Sequence, residues 1–215
     1  MQRLSCVLVL VAALAFVASA QAQLSYTFDT DVQGFAGAVA WSPGPAGWAG
    51  GGVIQQTGTT GGWTMGSGGG PWKSFPWETG EQTNMQAMAA SGAGHVSFDA
   101  IVDGTSFPAG AGVWFSINGA GNSDGTAGWT QKEHLVDGWQ NPDESDLRSW
   151  HIDLSFADLG WQPGDSWFQL YLGSNSDGAY PVHYYIDNLV ITPEPATMGL
   201  LALGGLALLR RGRRA

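Results

Sequence analysis

Short stretches in which apolar and polar residues alternate recur along most of the chain. Leu24, Tyr26 and Phe28 alternate with Ser25, Thr27 and Asp29, and Val96, Phe98, Ala100 and Val102 with His95, Ser97, Asp99 and Ile101. The same period runs through Val113, Phe115 and Ile117, through Trp150, Ile152 and Leu154, and through Phe168, Leu170 and Leu172. Tyr184 to Ile191 is the last long run. A period of two sends successive side chains to opposite faces of a strand. Gly, Pro, Asn and Asp separate the runs, as tight turns require. No stretch between these runs sustains the i, i+3, i+4, i+7 spacing of an amphipathic helix. The pattern predicts an all-β domain, an antiparallel β-sandwich of jelly-roll type with one face of each sheet buried. Residues 34–82 are Gly-rich and hold Trp41, Trp48, Trp63, Trp72 and Trp77. They are expected to form long loops around two or three short strands within that domain.

The two ends break the pattern. Arg3 precedes a nearly unbroken apolar run from Ser5 to Val17, and Ala18-Ser19-Ala20 offers the small residues a signal peptidase accepts. Residues 1–20 therefore read as a secretory signal peptide. At the other end Pro193-Glu194-Pro195 is followed by Ala196 to Leu209, apolar except for Thr197, and then by Arg210, Arg211, Arg213 and Arg214. As a helix that run would be about 21 Å long, shorter than a ~30 Å hydrocarbon core. The arginines would stay on the cytoplasmic side. The expected organisation is 1–20 signal peptide, 21–192 β-sandwich and 193–215 tail.

This tail, with Pro193, Glu194, Pro195, the Gly/Leu/Ala-rich run and the arginine cluster in that order, resembles the PEP-CTERM sorting signal of exported bacterial proteins. The resemblance implies recognition by an exosortase, a membrane-embedded cysteine-type transpeptidase or protease. It implies a protein of the cell envelope or extracellular space, held in the membrane by a hydrophobic sorting helix, often in bacteria that make exopolysaccharide.

Charge and cysteine content narrow the partners. The chain has 18 acidic and 8 basic residues. Without Arg3, the four tail arginines and Glu194, the middle domain keeps Lys73, Lys132 and Arg148 against seventeen acids, a net of −14. Such a domain repels phosphate, which excludes nucleic acid. Cys6 lies inside the leader and is the only cysteine, so the domain has no disulfide to use. His95, His134, His151 and His183 show no metal-ligand spacing, and no G-x-S-x-G elbow occurs. Asp143, Glu144 and Asp146 cluster beside Pro142 in a turn-rich stretch, not along a strand where paired carboxylates could hold a fixed separation. No catalytic constellation emerges, and the chain is not expected to be an enzyme.

Binding fits the residues better. If the apolar set faces inward, Trp114, Trp167 and Tyr171 face outward with Asn118, Gln169, Ser97, Asp99 and Asp153. Aromatic rings stack on the C–H faces of sugars, and amides and carboxylates pair with hydroxyls. The alternative is that a loop or the second sheet covers these rings. Asn122-Ser123-Asp124-Gly125 recurs as Asn175-Ser176-Asp177-Gly178, which reads as turn chemistry or as a shared ligand loop.

Three segments, Phe28-Asp29-Thr30-Asp31-Val32-Gln33-Gly34-Phe35, Trp161-Gln162-Pro163-Gly164-Asp165 and Tyr185-Ile186-Asp187-Asn188-Leu189-Val190-Ile191, resemble in order the opening, penultimate and closing segments of jelly-roll carbohydrate-binding modules. The resemblance implies that the first and last strands are neighbours. It also implies a structural calcium held by Asp29 or Asp31 together with Asp187, hard oxygen donors of the kind Ca²⁺ prefers; the other reading is capping and turn carboxylates. Two function classes stay open: a carbohydrate-binding or matrix module acting on the cell's own exopolysaccharide, and a structural surface protein without a specific ligand. A glycan-active enzyme is third.

Overall fold

The computed structural model describes residues 23–57, 72–75, 80–90, 92, 94–106, 115–125, 129–132, 135–136, 147–176 and 183–193. The expected signal peptide, Trp114 and the tail beyond Pro193 lie outside the described residues. Among the described residues ten strands and one α-helix follow in chain order: β1 Leu24–Tyr26, β2 Val39–Ser42, β3 Val53–Gln56, β4 Trp72–Phe75, α1 Gly80–Ala90, β5 Gly94–Asp103, β6 Phe115–Ser123, β7 Thr130–Lys132, β8 Leu147–Ser155, β9 Phe168–Ser176 and β10 His183–Pro193.

The strands form two antiparallel sheets. The larger has the order β2-β3-β10-β5-β8, with β1 also on β10, and the smaller has the order β4-β9-β6-β7. From β3 onward the pairs β3·β10, β4·β9, β5·β8 and β6·β7 nest inside one another and alternate between the sheets. A long antiparallel ribbon rolled up on itself gives this order, and it is the jelly roll. The three short strands β2, β3 and β4 fall within the Gly-rich region, as expected.

The core lies between the sheets. Ile54, Phe98, Ala100, Ile186 and Leu154 from the larger sheet meet Phe75, Ile117, Phe168, Leu170 and Leu172 from the smaller. Each large apolar side chain buried this way contributes roughly 1.5–3 kcal/mol before chain entropy is set against it. Strand β6 runs further than its sequence suggests. Its inward positions after Ile117 are Gly119, Gly121 and Ser123, which carry no apolar signal. A Cβ on Gly119 would lie 2.7 Å from Leu154, and one on Gly121 only 2.1 Å from the Leu159 carbonyl. These glycines stand where the opposite side of the sandwich comes closest.

Helix α1 is an addition to the all-β architecture that the periodicity of the sequence does not show. Its buried face is Gln82, Met85, Met88 and Ala89, a stripe too short and too polar to register as amphipathic. Glu81 sits in its first turn, where a carboxylate is favoured by the helix dipole.

The first strand does lie beside the last. Leu24 and Tyr26 pair with Ile191 and Leu189. A bulge in β10 between Asp187 and Val190 places Asn188 and Leu189 opposite Phe98, with Asn188 in the left-handed region at φ 48°. Before the bulge the edge of β10 pairs with β3; after it, with β1.

Candidate functional site

The register sorts the expected binding residues onto two separate faces. On the larger sheet Asp99, Ile101, Ser149, His151 and Asp153 share the outer face. It is charged: His151 Nδ1 lies 2.8 Å from Asp99 Oδ1, and His95 Nδ1 lies 3.0 Å from Asp153 Oδ1. Asn188 Nδ2 donates to the other Asp99 oxygen at 2.9 Å. Ser97, Asp99 and Asp153 therefore do not stand beside the aromatics; they face the opposite side of the molecule.

The outer face of the smaller sheet carries Ser74 from β4, Gln169, Tyr171 and Gly173 from β9, Asn118, Ala120 and Asn122 from β6, and Gln131 from β7. None of these side chains is charged. One row across the sheet reads Tyr171, Ala120, Gln131, and the next reads Ser74, Gln169, Asn122. Four strands at ordinary spacing give a platform about 14 Å wide.

Tyr171 is half-buried and its ring lies down along the strand. A Cβ on Gly173 would come within 2.5 Å of Tyr171 Oη and 2.7 Å of two ring carbons. Glycine at 173 therefore makes room for a flat ring, with Ala120 beside it as a low neighbour. Gln169 Nε2 donates to Ser74 Oγ at 3.1 Å, which holds the amide in place within this face. Asn118 lies in register with Gly173 and is buried, accepting from Ser116 Oγ at 3.3 Å. It faces outward yet is buried, as are Ser116 and Ala120 on the same strand, so this part of the outer face is covered and not presented to solvent.

Trp167 precedes β9 and is half-buried. Its position is set by Asp124, whose Oδ1 accepts the backbone N–H groups of Ser166 at 2.8 Å and Trp167 at 3.1 Å, while Oδ2 accepts the Ser166 hydroxyl. The Ser166 hydroxyl, foremost among these donors, holds the Asp124 carboxyl below the usual carboxylate range. The first Asn-Ser-Asp-Gly copy thus ties the β6–β7 turn to the start of β9. The acidic residue of the second copy lies outside the described residues.

Asp29 follows β1 and Asp187 lies on β10, the strand that pairs with both β1 and β3. Asp187 is buried; its Oδ1 accepts the Asn188 N–H at 2.7 Å, and its Oδ2 has no hydrogen-bond partner. Burial pushes its carboxyl up, and the negative charges of Asp99 and Asp29 push it the same way. The Asn188 backbone N–H acts against them; the Trp48 indole N–H has no partner within hydrogen-bond distance. Phe28, in the left-handed region at φ 53°, turns the chain so that Asp29 Oδ1 comes close to Gly51. Asp29 also accepts from Thr27 Oγ1 at 2.7 Å. Asp31 is engaged elsewhere, accepting the Gln33 N–H at 2.8 Å in its own turn. Among the described residues no three His, Cys, Asp or Glu side chains converge to hold a metal ion. The residues fit a calcium ion in part: the carboxylates of Asp29 and Asp187, the latter with a buried oxygen that makes no hydrogen bond, without a third acid.

The comparisons follow this geometry. Residues 192–214 match the PEP-CTERM protein-sorting motif. The chain is an exported protein sorted to the cell envelope, and its C-terminal segment holds it in the membrane until processing by an exosortase-type enzyme. No curated protein matches the chain by sequence. Among solved structures, the N-terminal CBM22-1-CBM22-2 tandem domain from Paenibacillus barcinonensis Xyn10C is 18% identical with a TM-score of 0.47, over 80% of this chain and 46% of that one. The chain thus spans about half of that protein's length. TmCBM27, a carbohydrate-binding module with specific mannan recognition, is 11% identical with a TM-score of 0.46, over 80% of this chain and 96% of that one. CBM28, a module specific for non-crystalline cellulose, is 13% identical with a TM-score of 0.49, over 75% and 89%. Among the described residues no helix is long and apolar enough to cross a membrane.

Proposed function

We propose that the domain binds neutral extracellular polysaccharide on the outer face of its smaller sheet, without catalysing a reaction on it. The observation that carries this reading is the contrast between the two outer faces. A domain of net −14 keeps one sheet face free of charge and furnishes it with a flat tyrosine, two glutamines, an asparagine and a serine. Amides offer both donor and acceptor, which suits hydroxyl groups, and the ring offers a stacking surface. A charged polymer would gain nothing from such a face, and an anionic one would be repelled by the rest of the domain.

The test is retardation of the purified exported chain in gels containing neutral or anionic polysaccharides. Retardation by a neutral glucan, mannan or xylan is expected. Tyr171→Ala should weaken it by about tenfold, equivalent to ~1.4 kcal/mol. Gly173→Ala should weaken it similarly by tipping the ring upward, while leaving the melting temperature nearly unchanged. Retardation only by anionic polymers, or identical behaviour of both variants and wild type, would overturn the reading.

A structural calcium between Asp29 and Asp187 is proposed as a second feature, supported by the unpartnered buried oxygen of Asp187. Hard oxygen donors would hold the ion and join the first strand to the last. A ligand that binds only the folded state raises its stability. Added calcium should therefore raise the melting temperature over that in EDTA. Asp187→Asn should abolish the difference and, in EDTA, melt no lower than wild type, because it removes a buried charge. Identical melting of the wild type in calcium and in EDTA would dismiss the ion.

A further inference from the structure

We propose that one end of the sandwich, formed by the start of β1, the turn after β8, helix α1 and the end of β10, is the surface that rests on the lipid headgroups while the tail is still attached. Pro193, the first proline of the sorting motif, is still in the sheet, in register with Gly94. Only Glu194 and Pro195 separate it from Ala196, where the apolar run begins. Fully extended, that connection spans about 10 Å. The headgroup layer of one leaflet takes up roughly 5–8 Å of this, taken from the difference between total and hydrocarbon thickness. The folded domain has no slack with which to stand clear of the bilayer or to turn over.

The chemistry of this end agrees. The exposed residues of α1 are Gly80, Thr83, Gln86, Ala87 and Ala90, none of them charged. Nearby ionisable groups are paired within the fold: Glu81 with Lys73 at 3.4 Å and Asp158 with Lys132 at 2.8 Å. A domain of net −14 would be repelled by anionic headgroups, and the two ion pairs lower the charge of this end, although Asp124 beside it is exposed and held only by the Ser166 and Trp167 donors. Strand β10 then stands away from the membrane, and the outer face of the smaller sheet is upright. The sorting enzyme meets a substrate whose motif begins within the last strand, so it must act within a few residues of a folded sheet.

Cys6 is the only cysteine, which makes site-directed labelling direct. The full chain carrying Cys6→Ser, with either Ala157→Cys in the turn after β8 or Thr105→Cys just past the end of β5, is expressed in a host without an exosortase, so that the tail stays attached. Both positions are exposed, and they lie at opposite ends of the sandwich. In membrane vesicles with the domain outward, A157C should react with a bulky maleimide several-fold more slowly than in detergent solution, and T105C equally fast in both. A long flexible Gly-Ser spacer between Thr192 and Pro193 should restore A157C to the solution rate. Equal rates for A157C in vesicles and detergent, or protection of both positions alike, would overturn the proposal. Recovery of the chain outside the membrane fraction would remove the anchoring on which it rests, a failure distinct from any failure of glycan binding.

Discussion

Replacing Trp161 with alanine is expected to destabilise the domain by about 3–5 kcal/mol. Trp161 closes the end of the core between the sheets. Its ring meets Phe156, Phe168 and Phe75 edge-on, at centroid distances of 4.9, 5.7 and 6.4 Å. Its indole N–H donates to the Asn122 carbonyl at 3.2 Å, and its backbone N–H to the Phe156 carbonyl at 2.9 Å. Truncation removes a large buried surface, leaves a cavity rigid aromatics cannot fill, and strips the Asn122 carbonyl of a partner. Trp161→Phe keeps much of the volume and should recover more than half of the loss. Denaturant unfolding of the three proteins checks this; a loss below about 1 kcal/mol for the alanine variant would show that the end of the core collapses around the gap.

The second large effect is expected at Lys73. This side chain sits on the inward side of β4, buried, where an apolar residue belongs by period. Its ammonium donates to the Gln33 carbonyl at 2.9 Å and lies 3.4 Å from Glu81 Oε2. It stands 5.1 Å from the centre of the Tyr26 ring and 6.0 Å from those of Phe35 and Phe75. Glu81 in turn accepts from the Tyr26 hydroxyl at 3.0 Å. Burial, with the Glu81 charge second, pushes the Tyr26 hydroxyl far above its ordinary range, so it remains a donor at any working pH. One cation thus joins β1, the 33–35 turn, β4 and the start of α1. Breaking a buried pair from one side costs about 3–5 kcal/mol; with Glu81 one-third exposed, about 3 kcal/mol is expected for Lys73→Met. That corresponds to a fall of roughly 10 °C in melting temperature for a domain of this size. The double variant Lys73→Met, Glu81→Gln should be more stable than the single one, because no carboxylate is then left without its cation. If the single and double variants melt together, the Lys73–Glu81 pair is not what holds the corner.

Most strands were legible because their inward positions are large and apolar and their outward ones are not. Val96 to Val102, Ile152 to Leu154 and Phe168 to Leu172 read directly. Legibility failed where the inward residue is small or charged. Gly119 and Gly121 hide the second half of β6, and Lys73 hides the inward side of β4. Helix α1 escaped because its buried stripe begins at Gln82 and consists otherwise of two methionines and an alanine.

The sequence by itself determined the export signature, the acidic domain between two cationic ends and the alternation that makes a sandwich. These properties live in local order: a tripartite tail, a charge count, a period of two. Which strands share a sheet is decided only when the ribbon rolls up. Period alone put Tyr171, Gln169, Asp99 and Asp153 on outward positions alike. The register then set the first two on an uncharged face and the last two on the charged face opposite. It also laid Asn118 beside Gly173, under cover. Strand order is a property of contacts far apart in the chain, and no short stretch of residues carries it.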